Sequence, residues 1–163
     1  MKIALLSDVH DRTTPMLTAL ATADSMGCRH LLYLGDIVET ATFRLMTEEW
    51  PYTMDVVFGN NEIERSAFMR LAQSLPRVRH HGDEGSLILN NKRIFITHYP
   101  WIAERAAQSG KYDAVFFGHT HVAEQLHYYN TVIANPGEVG GVRRPSQFAI
   151  YDTQDGSLSF VKI

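Results

Sequence analysis

Short apolar runs recur along the chain, and each ends on a polar residue that can bind a cation. Leu5 and Leu6 lead into Ser7-Asp8-Val9-His10, where the side chains of Asp8 and His10 project to the same side if the segment is extended. Four further runs end at Gly35-Asp36, Gly59-Asn60, Thr97-His98 and Gly118-His119-Thr120-His121. Strands that end at one edge of a sheet bring their last residues together, and open α/β sheets hold ligands there. We therefore expect these polar side chains to meet.

The spacing of apolar residues between these runs predicts three helices in the first half of the chain. An apolar helical face covers residues 16–23, a threonine before Pro15 can cap this helix, and Gly27 is a typical stop. The other two helices are predicted over Thr42–Glu49, closed by Pro51, and over Ile63–Leu75, closed by Pro76.

The second half is richer in strands. Residues 87–89 and 94–96 flank the polar turn 90–92, which predicts a hairpin. A helix from Pro100 or Trp101 to Gln108, stopped by Gly110, precedes the strand that ends at Gly118, and further strands are predicted over 122–128, 131–134, 147–151 and 158–163. This order predicts an α/β fold, a layered sandwich of two facing sheets with helices outside.

Composition restricts the functional classes. With 163 residues, 45% of them hydrophobic, we expect a single domain over 1–163 without a cap domain. The formal charge of −3 argues against a surface that coats nucleic acid. Cys28 is the only cysteine, which excludes an intrachain disulfide and a thiolate zinc knuckle and favours a reducing compartment. The apolar stretch 3–6 is too short for a signal peptide or membrane helix, so we expect a cytoplasmic protein without membrane contact.

The polar residues at the ends of the runs form a candidate metal-binding set. It contains two carboxylates, one amide and four imidazoles: Asp8, His10, Asp36, Asn60, His98, His119 and His121. Seven ligands are too many for one tetrahedral ion and suit two ions with a shared ligand. Asp36 is the natural bridge because a carboxylate has two oxygens. A single histidine of this kind is typical of a core or turn residue, but the ordered set argues against coincidence.

Five motifs in order carry a family resemblance: Ser-Asp-Val-His, Leu-Gly-Asp-Ile-Val-Glu, Phe-Gly-Asn-Asn-Glu, Ile-Thr-His and Phe-Gly-His-Thr-His. Together with Asn135-Pro136-Gly137, they resemble the calcineurin-like metallophosphoesterases, and in particular the small cap-less phosphodiesterases of the YfcE-like group. The resemblance implies a four-layer αββα sandwich of two mixed sheets. It also implies a hydrolase of phosphoesters that depends on two divalent metal ions.

The resemblance further implies roles for individual residues. One ion would be held by Asp8, His10, Asp36 and His121, and the other by Asp36, Asn60, His98 and His119. Ions about 3.5–4 Å apart would generate a hydroxide that attacks phosphorus in line, with Asp8, Asp36, Asn60, His98 and His119 as catalytic residues. Nitrogen and oxygen ligands without thiolate favour Mn²⁺, with Ni²⁺, Fe²⁺ or Zn²⁺ as alternatives.

Several positions depart from the family pattern or leave alternatives open. Asn61 stands where the family usually has His or Cys, and an amide cannot protonate a leaving oxygen near neutral pH, which leaves substrate binding as its candidate role. Glu62 is expected close behind the ligands. Tyr99 and Glu138 replace residues that are often Gly and Ser in the family; each either narrows the pocket or is tolerated loop variation.

The remaining basic residues also have two interpretations. Arg143 and Arg144 could bind the substrate phosphate or belong to a solvated basic loop. Of the other histidines, His30, His80, His81 and His127, each is expected to be a surface or strand residue, with His81 as a reserve candidate for the missing acid.

Three functions are consistent with these residues. The first is a phosphodiesterase acting on a small-molecule or nucleotide phosphoester, and the second is a phosphomonoesterase. The third is a non-catalytic scaffold on the same fold, against which the seven intact ligand positions argue. The oligomeric state, including a homo-oligomer, is left open.

Overall fold

The computed structural model describes residues 1–163 and contains eleven strands and four helices. In chain order they are β1 (Lys2–Leu6), α1 (Thr13–Ser25), β2 (His30–Tyr33), α2 (Thr40–Glu49), β3 (Thr53–Val56), α3 (Arg65–Gln73), β4 (Val78–His80), β5 (Glu84–Leu89), β6 (Lys92–Thr97), α4 (Pro100–Gln108), β7 (Ala114–Phe116), β8 (Glu124–Tyr128), β9 (Thr131–Asn135), β10 (Gln147–Asp152) and β11 (Leu158–Lys162). None of the helices combines the length and the apolar character that crossing a membrane requires.

The strands form two mixed sheets. The first has the order β11-β10-β1-β2-β3-β4, in which β1 to β4 are parallel and β10 and β11 pair in antiparallel fashion. The second has the order β5-β6-β7-β9-β8, with β6, β7 and β9 parallel. The loops that follow the parallel strands of the two sheets are in contact. The N–H of His119 donates a hydrogen bond to Asp8 at 3.1 Å, and the ring of His98 bonds the Leu34 carbonyl at 2.7 Å.

Three apolar layers hold the sheets and helices together. Alternate residues of β1 face opposite sides, so Ala4 and Leu6 pack toward the helix side of the first sheet while Ile3 and Leu5 pack between the sheets. A third layer packs α4 on the second sheet. Because both faces of the central strands are covered, these strands are apolar at nearly every position. The predicted four-layer α/β sandwich is confirmed.

Element boundaries follow the sequence prediction with a few exceptions. The predicted helix over 63–75 is limited to Arg65–Gln73, and the predicted threonine cap of α1 is wrong, since Arg12 occupies that position and no side chain caps the helix. Strand β4 was not predicted because only Val78 of its three residues is buried. The predicted hairpin is confirmed, with Asn90 and Asn91 both left-handed in its two-residue turn.

A buried carboxylate outside the candidate metal site stabilises the edge of the first sheet. Asp55 of β3 is fully buried and accepts hydrogen bonds from His30 at 2.7 Å, His81 at 2.6 Å and Arg79 at 3.0 Å. Burial would raise the pKa of Asp55, but hydrogen bonds from the two histidines and the charges of His30 and Arg79 hold it well below its ordinary value. The hydrogen bonds of Asp55 and its ion pair with Arg79 therefore hold β2, β3 and β4 together.

We predict that Asp55→Asn lowers the free energy of unfolding at pH 7 by about 3 kcal/mol, because it removes the negative charge from a buried cluster of donors. Since the pKa of Asp55 is lowered well below its ordinary value in the folded protein, its contribution is complete well above pH 4 and is lost progressively as the pH falls toward the lowered pKa. The difference between the variant and the wild type should therefore be smaller at pH 3 than at pH 7 without vanishing. Urea denaturation at pH 7 and pH 3 measures both effects.

Asp113→Asn is the matched control, since Asp113 pairs with Arg93 in a partly exposed ion pair at 3.3 Å. We expect this change to cost less than about 1 kcal/mol. Equal losses in the two variants would contradict a special role for the buried cluster.

Candidate metal centre

The polar residues that follow the strands converge at one edge of the sandwich. The Nε2 atom of His121 lies 3.4 Å from Asp8 Oδ1, and the Nε2 atom of His10 lies 3.8 Å from the same oxygen. The Oδ2 atom of Asp36 lies 3.7 Å from His10 Nε2 and 3.5 Å from His98 Nε2. Of the seven side chains proposed as ligands, these five form a continuous cluster.

The other two side chains adjoin this cluster on the side of the second sheet. The Oδ1 atom of Asn60 lies 3.1 Å from His98 Nε2 and 2.8 Å from His119 Nδ1. Two overlapping groups of possible ligands result, Asp8 with His10 and His121, and Asp8 and Asp36 with His98. Because Asp36 Oδ2 reaches a histidine of each group, its position favours the bridging role expected from the sequence.

Two buried atoms in the centre have no hydrogen-bond partner, namely Asp8 Oδ1 and His10 Nε2. An unsatisfied buried polar atom costs about 1–3 kcal/mol, so such atoms need an explanation. Each of these atoms lies 3.4 to 3.8 Å from other possible ligand atoms. Two ligand atoms that bind the same cation, each about 2.0–2.2 Å from it, are separated by slightly less than this. The residues present therefore fit divalent cations.

Hydrogen bonds fix the tautomers of two histidines in a form suited to metal binding. The Nδ1 atom of His98 bonds the Leu34 carbonyl at 2.7 Å, and Nδ1 of His121 bonds the Glu138 carboxylate at 2.6 Å. Since a carbonyl and a carboxylate only accept, each Nδ1 carries the proton, and each Nε2 keeps a lone pair that faces the centre.

The charges of the centre shift the pKa of several ligands. Burial lowers the pKa of His98, but the neighbouring carboxylates Asp36 and Asp8 outweigh it and raise the pKa overall. The pKa of His10 is also raised, chiefly by the adjacent carboxylate of Asp8. Burial and the nearby His98 lower the pKa of His119. Because an imidazole nitrogen binds a cation only without its proton, metal binding at this centre competes with protons.

Strained backbone positions the ligands. Asp8, His10, Asp36, His119 and His121 all have left-handed φ values, between 47° and 70°. Such residues cost on the order of 1–3 kcal/mol each and persist where the surrounding structure holds them. Gly59 belongs to the same arrangement, because a Cβ atom there would lie 2.1 Å from Asp36 Oδ1. The close approach of Asp36 to the backbone at residue 59 therefore requires glycine.

Comparison with known proteins identifies the family. A model of the calcineurin-like phosphoesterase superfamily domain matches residues 1–156. The chain belongs to this superfamily. It is 27% identical to phosphodiesterase MJ0936 of Methanocaldococcus jannaschii over 143 residues, which cover 86% of each protein. A solved archaeal phosphodiesterase superposes over 100% of both chains with a TM-score of 0.93 and 26% identity, and the phosphoesterase Yfce of E. coli superposes over 100% of both with a TM-score of 0.68 and 22% identity.

Two residues beside the ligands join the loops of this phosphoesterase. The side chain of Asn61 donates to Asp36 Oδ2 at 2.6 Å, and its backbone N–H donates to Asp36 Oδ1 at 3.0 Å. The buried carboxylate of Glu62 accepts the N–H groups of Gly59 at 2.7 Å and Ile37 at 3.1 Å. Glu62 therefore lies where the sequence predicted it, close behind the ligands.

Glu138 has a role that the sequence interpretation missed. Its fully buried side chain bonds His121 and accepts the backbone N–H groups of Val142 at 3.1 Å, Arg143 at 2.6 Å and Arg144. It is neither a residue that narrows the pocket nor idle loop variation, because one carboxylate orients a candidate ligand and closes the 142–144 turn. The only sequence signal was a glutamate directly after Asn-Pro-Gly, which does not by itself indicate the contact with His121.

The remaining predicted residues lie at different distances from the centre. The side chains of Arg143 and Arg144 are exposed, and Arg144 lines a cleft of about 330 Å³ together with His121 and Lys162. The Nε2 atom of His81, the reserve candidate for the acid, bonds the buried Asp55 at 2.6 Å. His127 is exposed on β8, as expected of a surface residue.

We predict that Glu138→Gln weakens the binding of Mn²⁺ by about 10-fold to 100-fold, because His121 loses the charged acceptor that orients its ring. Isothermal titration calorimetry of the metal-free protein measures the affinity. Glu48→Gln, a change on the exposed face of α2, is the matched control and should leave the affinity unchanged. Unaltered affinity in Glu138→Gln would contradict the orienting role.

Proposed function

We propose that this phosphoesterase hydrolyses phosphodiesters and depends on two divalent cations. The observation that carries the proposal is the pair of unpartnered buried atoms, Asp8 Oδ1 and His10 Nε2, among converging ligands. The relatives named as phosphodiesterases support the choice of diesters over monoesters.

The ligand distribution follows from which side chains are adjacent. Asp8, His10 and His121 would hold one cation, while Asn60, His98 and His119 would hold the other, with Asp36 between them. When bound, two such cations supply Lewis-acid polarisation of the phosphoryl group and acidify water at neutral pH. The protein holds the donors in place through the hydrogen bonds of His98 and His121 and through the buried carboxylate of Glu62.

The donor types support manganese as the metal. Imidazole, carboxylate and amide ligands suit Mn²⁺, Fe²⁺, Zn²⁺ or Ni²⁺, and no thiolate is near the centre because the one cysteine, Cys28, packs in the apolar layer beneath α1. We also propose a cytoplasmic location, which the single free cysteine of the chain supports.

Two further proposals concern the domain organisation of the chain and the size of its substrate. We propose that residues 1–163 act as one domain without a cap, and that the substrate is a small phosphoester or nucleotide rather than a long nucleic acid. The formal charge of −3 supports a small substrate over a long nucleic acid. The oligomeric state stays open.

The leaving group must depart without help from Asn61. An amide has no proton to give near neutral pH, and the Asn61 amide is engaged with Asp36. The proposed enzyme therefore prefers esters of acidic alcohols or phenols. If Arg144 binds substrate, it does so from the cleft beside His121.

The function is tested with bis(p-nitrophenyl) phosphate and p-nitrophenyl phosphate, each with the Mn²⁺-loaded and the chelator-treated protein. We expect faster turnover of the diester, loss of at least about 100-fold on chelation, and recovery on addition of Mn²⁺. Asp36→Asn should abolish both metal binding and turnover. Faster turnover of the monoester would indicate a phosphomonoesterase. Stoichiometric metal without turnover of either substrate would indicate a scaffold.

We predict that Asn61→His accelerates hydrolysis of diesters with poor leaving groups by about 100-fold, because a histidine can act as a general acid. Rates for a series of aryl esters, plotted against the pKa of the leaving phenol, should depend on it less steeply in the variant than in the wild type. Asn61→Ala is the control without a donor. Equal rates of the wild-type enzyme across the series would contradict the prediction that it lacks a general acid.

A further inference from the structure

An aromatic cluster adjoins the candidate metal centre on the side of the second sheet. Tyr99 directly follows the ligand His98, and Trp101 lies in the first turn of α4. The rings of Tyr99 and Trp101 are 4.9 Å apart at 31°, and the Trp101 ring meets that of His119 edge-on at 5.9 Å. The Tyr99 ring packs edge-on against His98 at 5.3 Å. Both rings are therefore held against candidate ligands.

The packing of α4 against the second sheet does not require a tryptophan at position 101. The helix is anchored on the second sheet by Ala103 and Ala107, which are fully buried, whereas Trp101 is 55% exposed. An indole is among the largest apolar side chains, and its exposure next to a polar centre leaves stacking surface unused. Tyr99 is partly buried and braces the indole from one side.

The two sides of the centre differ in chemistry. Beside His119, which lies 2.8 Å from Asn60, stand the two aromatic rings. On the other side the rings of His10 and His121 stack at 5.1 Å, and Arg144 lines the adjoining cleft. A phosphoester at the centre would thus have an aromatic surface on one side only.

We propose that Trp101, braced by Tyr99, is a stacking platform for a planar aromatic ring carried by the phosphodiester substrate. The proposal rests on the proposed function and names its substrate class. A nucleobase and an aryl group share this chemistry, because each presents a flat π face to the indole. One exposed indole offers a stacking face for one ring, and a formal charge of −3 argues against a long nucleic acid as the substrate.

The test holds the leaving group constant and varies the other ester. The three substrates are methyl p-nitrophenyl phosphate, phenyl p-nitrophenyl phosphate and thymidine 5′-monophosphate p-nitrophenyl ester. All three release p-nitrophenolate, so the lack of an acid at Asn61 affects them equally. Hydrolysis of the methyl ester reports the proposed function, and the difference between esters reports the platform.

We expect Trp101→Ala to raise KM on the order of tenfold for the esters that carry a second ring, with the kcat and the methyl ester little changed. Trp101→Phe should restore most of the loss. Tyr129→Ala removes an aromatic ring that is 92% exposed in the β8–β9 turn and serves as the control. A rise in KM for the thymidine ester alone indicates that the ring on the platform is a nucleobase. A rise in KM for the phenyl ester alone indicates that it is an aryl group. An equal rise in KM for the methyl ester would indicate that the departing p-nitrophenyl ring is the one that stacks on Trp101, and unchanged KM for all three esters would overturn the platform.

A second measurement is independent of turnover. The chain has two tryptophans, so the fluorescence that Trp101→Phe removes belongs to Trp101. In the presence of Mn²⁺, thymidine 5′-monophosphate or phenyl phosphate should quench this part of the signal, while ribose 5-phosphate should not. Equal quenching by ribose 5-phosphate, or none by either ring compound, would also overturn the proposal.

Discussion

The candidate centre depends on the burial of two carboxylates beside an apolar core. Asp8 is fully buried and Asp36 nearly so, and an ionised carboxylate out of water is stable only with compensating positive charge. The same carboxylates raise the pKa of His10 and of His98, because each carboxylate would stabilise a positive charge on these rings. A divalent cation provides the compensating charge and also engages the unpartnered Asp8 Oδ1 and His10 Nε2.

The fold holds these charges in place at a cost in backbone strain. Five candidate ligands have left-handed φ values, which the packed loops maintain against their own preference. The compensating contacts come from neighbours with no direct role in binding a cation. Glu62 joins the loops after β2 and β3, and Glu138 joins His121 to the 142–144 turn. The surrounding carboxylates thus orient the ligands as well as adding charge.

Around this centre, the molecule presents different surfaces to a substrate. The aromatic rings of Tyr99 and Trp101 lie beside His119, while Arg144 and Lys162 lie in the cleft beside His121. Asn61 is turned to Asp36 and offers no acid. The aromatic and the basic surfaces bear on substrate choice, and Asn61 bears on the departure of the leaving group.

The layers of the fold and the seven candidate ligands could be predicted from the amino-acid sequence. Apolar runs that end on Asp8, Asp36, Asn60, His98 and His119 are local patterns, and parallel strands carry their last residues to one edge whatever the details of packing. The tertiary structure alone decided which side chains bond which. Glu138 reaches His121 across 17 residues, and His81 reaches Asp55 across 26, so no local pattern could reveal either contact. Strand β4 also depended on tertiary structure, because three residues with one buried side chain carry no periodic signal and pair only once β3 offers an edge.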